Sequence, residues 1–577
     1  TGAVSLGKVL LGEINPSGRT VDTFATSIAT NPTTANFSTL GNHVYRDEAR
    51  YVDYAESIYV GYRYYETAML EQREYMNEIA FPFGYGLSYT TFSWELDHVN
   101  FTNLRGQQTG LDSESEIEED GTLSFFIWVE NTGSVSGKDV VEIYAKPPYF
   151  DGEIEKSACN LVAFSKTASL LPGQGEMVEL SIPLRSMASY DCYDDNLNGF
   201  IGYELDKGEY TLSIKKDAHS LHPLIGGDPE FRFRLSSPIR YEIDEVTREP
   251  IKNLFTTYEN PHTHAKSQIQ EKESPLSYSI DGRESGENIP FLSRVDFDAT
   301  FPQHNPEARS MSEEMYQRNF LVHSPNNDPT DAHPAFSQDT QYTISDGFGK
   351  YYDDHIFEEM VSQCDKSELI DFLLHAGFGT KALPSLGKPE CLDLDGPCGI
   401  NTSILANSPG EATSYPCESV LAQTFDRALC YEFGQAIAKE ARALGVNGWY
   451  APAANLHRNP LGGRNFEYLS EDPLLSGELS SYICLGAISG GVYCYLKHFA
   501  ADENETGENS QYHWMTEQAL REIYAKPFEI AIKKAKVNAI MASKNRIGSV
   551  RASGSTALLQ SLLRDEWGFE GCVRSEE

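Results

Sequence analysis

Short apolar segments that alternate with helical patterns constrain the fold of residues 346–577 more than any other feature of the sequence. These segments are residues 391–394, 446–453, 492–496, 537–542 and 571–573. Between the first two, an apolar residue recurs at every fourth position, at Leu421, Phe425, Leu429, Phe433, Ile437 and Ala441. This spacing predicts a helix with one apolar face. Helices that alternate with short buried strands are typical of parallel βα units, so the sequence predicts an α/β domain here.

Polar residues follow each of the apolar segments. In chain order they are Asp395, then Arg464, then Lys497 with His498, then Lys544, and finally Glu576. Because the carboxyl ends of parallel strands meet at the same edge, we expect these side chains to lie close together. Carboxylate acceptors combined with Arg, Lys and His donors suit a ligand that carries many hydroxyl groups. The sequence therefore predicts a binding site for a polyhydroxylated molecule at this edge.

Composition narrows the classes of partner. The chain has 85 acidic and 46 basic residues, a net charge of -39, which argues against nucleic acid and anionic membranes as partners. It contains no apolar run of about 18 residues, and residues 1–18 lack the basic region and apolar core of a signal peptide. The ten cysteines show no zinc-ligand spacing. These features predict a cytoplasmic protein with reduced thiols and without a metal site.

The preceding half of the chain has a different pattern. Leu123, Phe125, Ile127 and Val129 alternate with polar residues, and similar alternating runs recur between Gly, Pro and Asn turns over residues 96–240. Period-two runs bounded by turns predict a β-sandwich. Residues 241–345 are polar and show no sustained periodicity, so we interpret them as a linker.

Four strings carry a resemblance to a known family. They are LGEINPSGR (11–19), FPFGYGLSYT (81–90), VENTGSVSGKDVVEIYAKPPY (129–149) and RNPLGGRNFEYLSEDPLLSG (458–477). The last resembles the sugar-binding segment of glycoside hydrolase family 3, specifically its β-glucosidase branch, and the match is long and ungapped. The other three resemble segments of the sandwich and fibronectin type III-like domains of that family.

The resemblance implies a multidomain protein of α/β and all-β regions. Residues 1–95 would be the C-terminal part of an α/β sandwich domain, residues 96–240 a fibronectin type III-like β-sandwich, and residues 346–577 a (β/α)8-type catalytic barrel. Most members of the family begin with the barrel and then continue to the sandwich and the fibronectin-like domain. The order in this chain implies a circular permutation of that arrangement.

The function implied by the resemblance is that of a retaining, exo-acting β-glucosidase. Such an enzyme hydrolyses terminal non-reducing β-D-glucosyl residues from small β-glucosides or oligosaccharides, without a metal or an organic cofactor. Two alternatives stay open: another exo-β-glycosidase of the family, such as a β-xylosidase, and a homologue that binds carbohydrate but is catalytically impaired. A homo-oligomeric assembly also stays open.

Roles for the polar residues follow from the same resemblance. Asp395, in LDGP, is expected to bind hydroxyls at the outer edge of the non-reducing sugar. Arg464, Lys497 and His498 are expected to donate hydrogen bonds to neighbouring hydroxyls. Glu467 is expected to orient Arg464 and Lys497 without contacting the sugar itself.

The sequence departs from the family pattern at two positions. The family nucleophile is an Asp in a GFEGFV-x-[ST]-D-W string, whereas this chain reads GFEGCVRSEE and has Glu576 at that place. Lys544, which is also expected to belong to the substrate-binding residues, stands where the family usually has a Tyr that hydrogen-bonds the nucleophile. In the family the general acid belongs to a sandwich-domain loop upstream of LGEINPSGR, so no residue is assigned to that role. The resemblance thus implies further sequence before Thr1 and after Glu577.

Overall fold

The computed structural model describes most of the chain, with the largest gap between residues 303 and 341. The described residues are 2–37, 50–69, 78–256, 279–282, 289–303, 341–350, 354–375, 377–404, 410–505 and 511–575. Much of the predicted linker lies outside these ranges, and so does Glu576, the predicted nucleophile position.

The N-terminal elements are short. They are α1 (Gly2–Leu10), β1 (Phe24–Ala25), β2 (Arg50–Asp53), α2 (Tyr62–Met69) and β3 (Ile79–Phe81). β1 and β3 form a small antiparallel pair. α2 is buried along most of its length, because its tyrosines pack into the same core as the helices of the C-terminal half.

Two facing β-sheets and a small third sheet follow. Their strands are β4 (Phe92–Asn103), β5 (Gln108–Leu111), β6 (Ser115–Ile117), β7 (Gly121–Asn131), β8 (Val140–Lys146), β9 (Asn160–Lys166), β10 (Gly175–Pro183), β11 (Ser189–Asp191), β12 (Gly202–Leu205), β13 (Gly208–Lys215), β14 (Glu230–Leu235) and β15 (Ile239–Tyr241). One sheet has the order β10-β7-β4-β5, the other β6-β14-β13-β8-β9, and β11, β12 and β15 form a small third sheet. The alternating apolar residues of β7 are buried between the two main sheets, where Phe125 meets Phe231 edge to face at 5.4 Å.

The C-terminal half is an α/β domain. The short helix α3 (Phe297–Thr300) precedes it. The elements of the domain are α4 (Ile356–Gln363), α5 (Lys366–Leu374), β16 (Gly379–Thr380), β17 (Cys391–Asp395), α6 (Glu418–Ala422), α7 (Arg427–Ala443), β18 (Gly448–Tyr450), α8 (Pro473–Ser489), β19 (Tyr493–Phe499), β20 (Gln511–Trp514), α9 (Glu517–Ala519), α10 (Lys526–Ala535), β21 (Ala539–Ala542), β22 (Arg546–Ile547), β23 (Val550–Arg551) and β24 (Cys572–Ser575). π-helical segments cover Leu520–Tyr524 and Ala557–Glu566. The main sheet has the order β16-β17-β18-β19-β21-β24 and is parallel apart from β16.

The apolar face predicted over residues 421–441 belongs to two helices rather than one. α6 ends at Ala422, and α7 begins after Asp426, whose Oδ1 accepts a hydrogen bond of 3.1 Å from the backbone N–H of Leu429. Phe425 has a φ of 51°, outside the right-handed helical region. An N-cap carboxylate next to a left-handed residue interrupts the helix while the fourfold spacing of apolar residues continues.

α7 and α8 pack closely against each other outside the parallel sheet. A Cβ atom at Gly434 would lie 2.1 Å from the backbone oxygen of Ile483, so a larger residue would push the two helices apart. α8 is buried on almost all sides and also packs against α10. These helices cover one side of the sheet with buried apolar residues. Polar side chains can therefore reach solvent at the carboxyl ends of the strands.

The N-terminal segment is joined to this domain. β2 pairs in parallel with β20, in a sheet of order β2-β20-β22-β23. Nearby, Glu56 accepts hydrogen bonds of 2.7 and 2.9 Å from the guanidinium of Arg458, and both side chains are fully buried. β2 and Glu56 therefore pack as part of the C-terminal α/β region.

Two further properties concern the whole chain. All ten cysteines carry free thiols, and most are buried. Among the described helices, none is both long enough and apolar enough to cross a membrane.

Candidate active site

Five of the predicted site residues lie together at the carboxyl edge of the parallel sheet. Asp395 ends β17, Lys497 and His498 lie near the end of β19, and Arg464 and Glu467 belong to the loop between β18 and α8. Because β17, β18 and β19 are neighbours in the sheet, residues distant in sequence meet at one place.

The centre of the cluster is the ammonium group of Lys497. Its Nζ lies 2.8 Å from Asp395 Oδ1 and 3.3 Å from Glu467 Oε2. The Lys497 side chain is 2% exposed, whereas that of Asp395 is 41% exposed. The lysine is therefore held between two carboxylates, one of which is open to solvent.

Asp395 keeps one oxygen available. Both Lys497 Nζ and the backbone N–H of Gly396 donate to its Oδ1, each at 2.8 Å. Within the described ranges, Oδ2 receives no hydrogen bond from the protein. A partly exposed carboxylate oxygen of this kind is suited to accept hydrogen bonds from hydroxyl groups of a ligand.

Arg464 is fixed from several sides. Its Nε donates to Glu467 Oε1, its Nη2 donates to His498 Nε2 at 2.6 Å, and Glu505 Oε1 lies 3.5 Å from its Nε. The preceding turn has no room for a side chain at Gly462, where a Cβ atom would lie 2.3 Å from Asn465 Oδ1. The tight turn and the carboxylates hold the guanidinium in one orientation.

His498 is a neutral, buried ring. Burial, together with the positive charges of Arg464, Lys497 and Lys544, holds the pKa of His498 well below its usual range. Since a guanidinium can only donate, Nε2 must be the unprotonated nitrogen of this ring and accepts the hydrogen bond from Arg464. The ring thus supports Arg464, and Asp502 lies 3.9 Å from its other nitrogen.

The last two predicted residues lie at the margin of this cluster. Lys544 follows β21, and its charge is near enough to His498 to contribute to the lowered pKa of that ring. Glu576 follows β24, which pairs in parallel with β21, but Glu576 itself lies outside the described residues.

Three acidic residues near the cluster were not predicted. Asp502 and Glu505 lie close to Arg464, at 3.9 and 3.5 Å, and Glu418 is buried behind Lys497. The acidic residues of ADENET (501–506), shortly after the third apolar segment, were a usable sequence signal for Asp502 and Glu505. In the part of the chain that the structure describes, no group of three His, Cys, Asp or Glu side chains could hold a metal ion.

Comparison with known proteins gives a consistent result. Residues 405–577 match the family described as the glycosyl hydrolase family 3 N terminal domain. Beta-glucosidase A of Butyrivibrio fibrisolvens is 32% identical and aligns with 100% of this chain and 64% of its own length. A beta-glucosidase of Ruminococcus albus is 31% identical and aligns with 100% of this chain and 52% of its own length.

A solved structure is similar over the same extent. The beta-glucosidase from Paenibacillus barengoltzii superimposes with a TM-score of 0.70 at 28% identity, over 99% of this chain and 55% of that protein. The chain thus spans between about half and two thirds of the length of these relatives. The chain is thus similar to the glycosyl hydrolase family 3 N terminal domain over residues 405–577 and to beta-glucosidases along its whole length.

Proposed function

We propose that the chain carries the sugar-binding centre of a retaining, exo-acting β-glucosidase. The observation that carries this proposal is the geometry around Lys497, which joins an open carboxylate, a buried carboxylate and an oriented guanidinium at one sheet edge. The three beta-glucosidases that align along nearly the whole chain support glucose as the sugar. The substrate class is a small β-glucoside or an oligosaccharide with a terminal β-D-glucosyl residue.

In this proposal the sugar is held through its hydroxyl groups. Asp395 accepts from one or two hydroxyls through its open oxygen, and Lys497 and Arg464 donate to neighbouring oxygens. His498 holds Arg464 in place, and Glu467 orients both cations. Fixing the ring in this way contributes to the rate, because the reacting atoms are already positioned when the bond breaks.

The chemistry requires a carboxylate on one face of the sugar. Cleavage of a glycosidic bond passes through an oxocarbenium-like state, and a retaining enzyme forms a covalent intermediate with a carboxylate nucleophile. We assign this role to position 576, the residue that follows β24 in the sequence. The cation of Lys544, after the neighbouring strand β21, would favour the ionised form of such a carboxylate. No residue of the chain is assigned as the general acid.

The architecture is part of the proposal. We interpret the parallel strands β17, β18, β19, β21 and β24 as part of a (β/α)8-type barrel, and the two-sheet region as a fibronectin type III-like domain. The two-sheet region precedes the α/β domain in the chain, which supports a circularly permuted order relative to most of the family.

A second candidate is a protein that binds β-glucosides without hydrolysing them. Two residues favour it: Glu576, whose side chain is one methylene longer than the Asp of the family, and Lys544 in place of a tyrosine. A displacement of the reacting atom by about 1 Å can cost on the order of a hundredfold in rate.

One experiment separates the two candidates. Hydrolysis of an aryl β-D-glucoside is measured together with glucose binding by isothermal titration calorimetry. A 2-deoxy-2-fluoro-β-glucoside should label the active protein, and the labelled peptide should contain GCVRSE. Glucose binding without turnover favours the second candidate. A label elsewhere removes the role of Glu576, and a protein that neither binds glucose nor hydrolyses the glucoside overturns both candidates.

A further inference from the structure

Glu418 is a buried carboxyl group that the proposed mechanism does not use. It is the first residue of α6 and is 0% exposed. Its Oε2 accepts a hydrogen bond of 2.9 Å from the backbone N–H of Ala453, and its Oε1 has no hydrogen-bond partner among the described residues. A buried carboxyl group with half of its hydrogen-bonding capacity unused is uncommon and calls for an explanation.

The residue held by Glu418 is directly linked to the sugar-binding lysine. Ala453 forms a parallel β-bridge with Lys497. On either side of this bridge, the N–H of Lys497 donates to Pro452 O at 3.1 Å, and the N–H of Ala454 donates to Lys497 O at 2.8 Å. A continuous path therefore runs from the Glu418 carboxyl through the Ala453 backbone to Lys497, whose Nζ contacts Asp395 and Glu467.

We infer that Glu418 is a positioning residue for Lys497, which it holds in register through the backbone of Ala453 without touching the sugar. This role rests on the proposed function, because Lys497 is the residue whose position would govern sugar affinity. α6 also meets the loop after β18 further along, where the backbone N–H of Ser419 donates to Phe466 O at 3.4 Å. The hydrogen bond that the backbone N–H of Ala453 donates to the buried carboxyl fixes the loop at the point where it pairs with β19.

The charges around Glu418 explain why it can perform this role in its neutral form. Burial raises the pKa of Glu418 well above its usual range, and the negative charges of Glu467 and Asp395 raise it further. The N–H of Ala453 and the ammonium of Lys497 oppose this rise. The neighbouring thiols of Cys398, Cys430 and Cys484 also have raised pKa values and carry no charge at neutral pH.

The neutral form leaves the ion pairs of Lys497 undisturbed. With Glu418 protonated, Asp395 and Glu467 are the carboxylates that compete for the ammonium group. As the pH rises through the raised pKa, Glu418 becomes a third carboxylate near Lys497 and draws the ammonium away from Asp395. Sugar affinity is therefore expected to fall on the alkaline side, and this fall should depend on Glu418.

Two variants separate positioning from a merely structural role. Glu418→Gln stays neutral at every pH and keeps an oxygen for the Ala453 N–H, whereas Glu418→Met has a similar length and offers only a weakly accepting sulfur. Glucose affinity is measured by calorimetry across a pH series, and melting temperature is recorded alongside. We expect Gln to match the parent within about twofold at the acidic end of the series and to lose the alkaline fall, and Met to weaken binding about tenfold at every pH.

Hydrogen exchange in peptides spanning residues 446–456 and 493–499 reads the same contact without any sugar. The parent and the Gln variant should protect these amides equally, and the Met variant should expose them. Unchanged protection in Met, parental glucose affinity in Met, or a parental alkaline fall in Gln would each overturn the inference. If Met does not fold, the pH series of Gln still decides. A parent that does not bind glucose refutes the proposed function, and hydrogen exchange then tests the contact on its own.

Discussion

Asp395→Asn is the substitution that tests the candidate site most directly. Asparagine has the same shape as aspartate, so it can keep the hydrogen bond from the Gly396 N–H while it removes the negative charge. Lys497 then retains Glu467, 3.3 Å away, as its carboxylate partner. The substitution therefore removes the charged acceptor for sugar hydroxyls and leaves the rest of the cluster in place.

The size of the effect follows from the kind of hydrogen bond that is lost. A hydrogen bond to a charged group is worth about 1.5–3 kcal/mol, which corresponds to a loss of glucose affinity of about tenfold to about 150-fold. Stability should change by less than about 1 kcal/mol, because ion pairs with a solvent-exposed partner contribute little. Asp395 is such a solvent-exposed partner, since its side chain is 41% exposed.

Asp393→Asn is a matched control on the same strand. Asp393 is buried, and its two oxygens accept hydrogen bonds from Tyr493 and from Tyr495, the latter at 2.9 Å. Asparagine has one acceptor oxygen, so one buried phenol loses its partner, at a cost of about 1–3 kcal/mol of stability. Calorimetry with glucose and thermal melting should thus separate the two variants. The assignment of the site is refuted if Asp395→Asn binds glucose as tightly as the parent.

Three other substitutions test the surroundings of the site. Arg464→Lys replaces a planar donor by a point charge, and should lower glucose affinity about tenfold in the same calorimetric assay; parental affinity would show that the guanidinium geometry is not used. Glu56→Gln leaves the fully buried Arg458 without its carboxylate and should cost about 3–5 kcal/mol of stability, so an unchanged melting temperature would contradict the role of this pair. Burial raises the pKa of Glu503 from about 4.5 to about 7, so the folded state holds this proton more tightly than the unfolded state. Stability should fall by up to about 3 kcal/mol as the pH rises from about 4.5 to about 7. Glu503→Gln should abolish this pH-dependent loss of stability. The melting temperatures of the parent and of Glu503→Gln at pH 5 and pH 8 measure this loss. An equal drop in both proteins would contradict the raised pKa of Glu503.

The location of the candidate site could be predicted from the sequence because strand ends follow from local patterns. The apolar segment 391–394 corresponds to β17, which ends at Asp395 as expected. Residues 492–496 correspond to β19, but the strand continues to Phe499, so Lys497 and His498 lie inside it. Apolar runs locate buried strands, and polar residues at a sheet edge can still continue the backbone pairing.

The contacts that support the site could not be predicted in this way. Glu418 reaches Ala453 across 35 positions of the chain, and His498 accepts from Arg464 across 34. Neither partner is marked by local periodicity, since each contact depends on how a helix or loop packs over the sheet. The same holds for the division between α6 and α7, where a capping aspartate outweighs the apolar spacing.

The motif FEYLSEDP shows how one short string serves two purposes. Its first carboxylate, Glu467, contacts Lys497 in the candidate site, but the next two face the N-terminal segment. Glu471 accepts hydrogen bonds from the N–H and hydroxyl of Thr23 and from the N–H of Tyr62, at 2.7 to 2.9 Å. Asp472 accepts from the hydroxyl of Tyr62 at 2.7 Å and caps α8 through the N–H of Leu475. The loop that carries Arg464 is therefore anchored at one end by residues from the beginning of the chain. Because these anchors are buried and paired, the orientation of the guanidinium depends on the N-terminal segment as well as on the sheet.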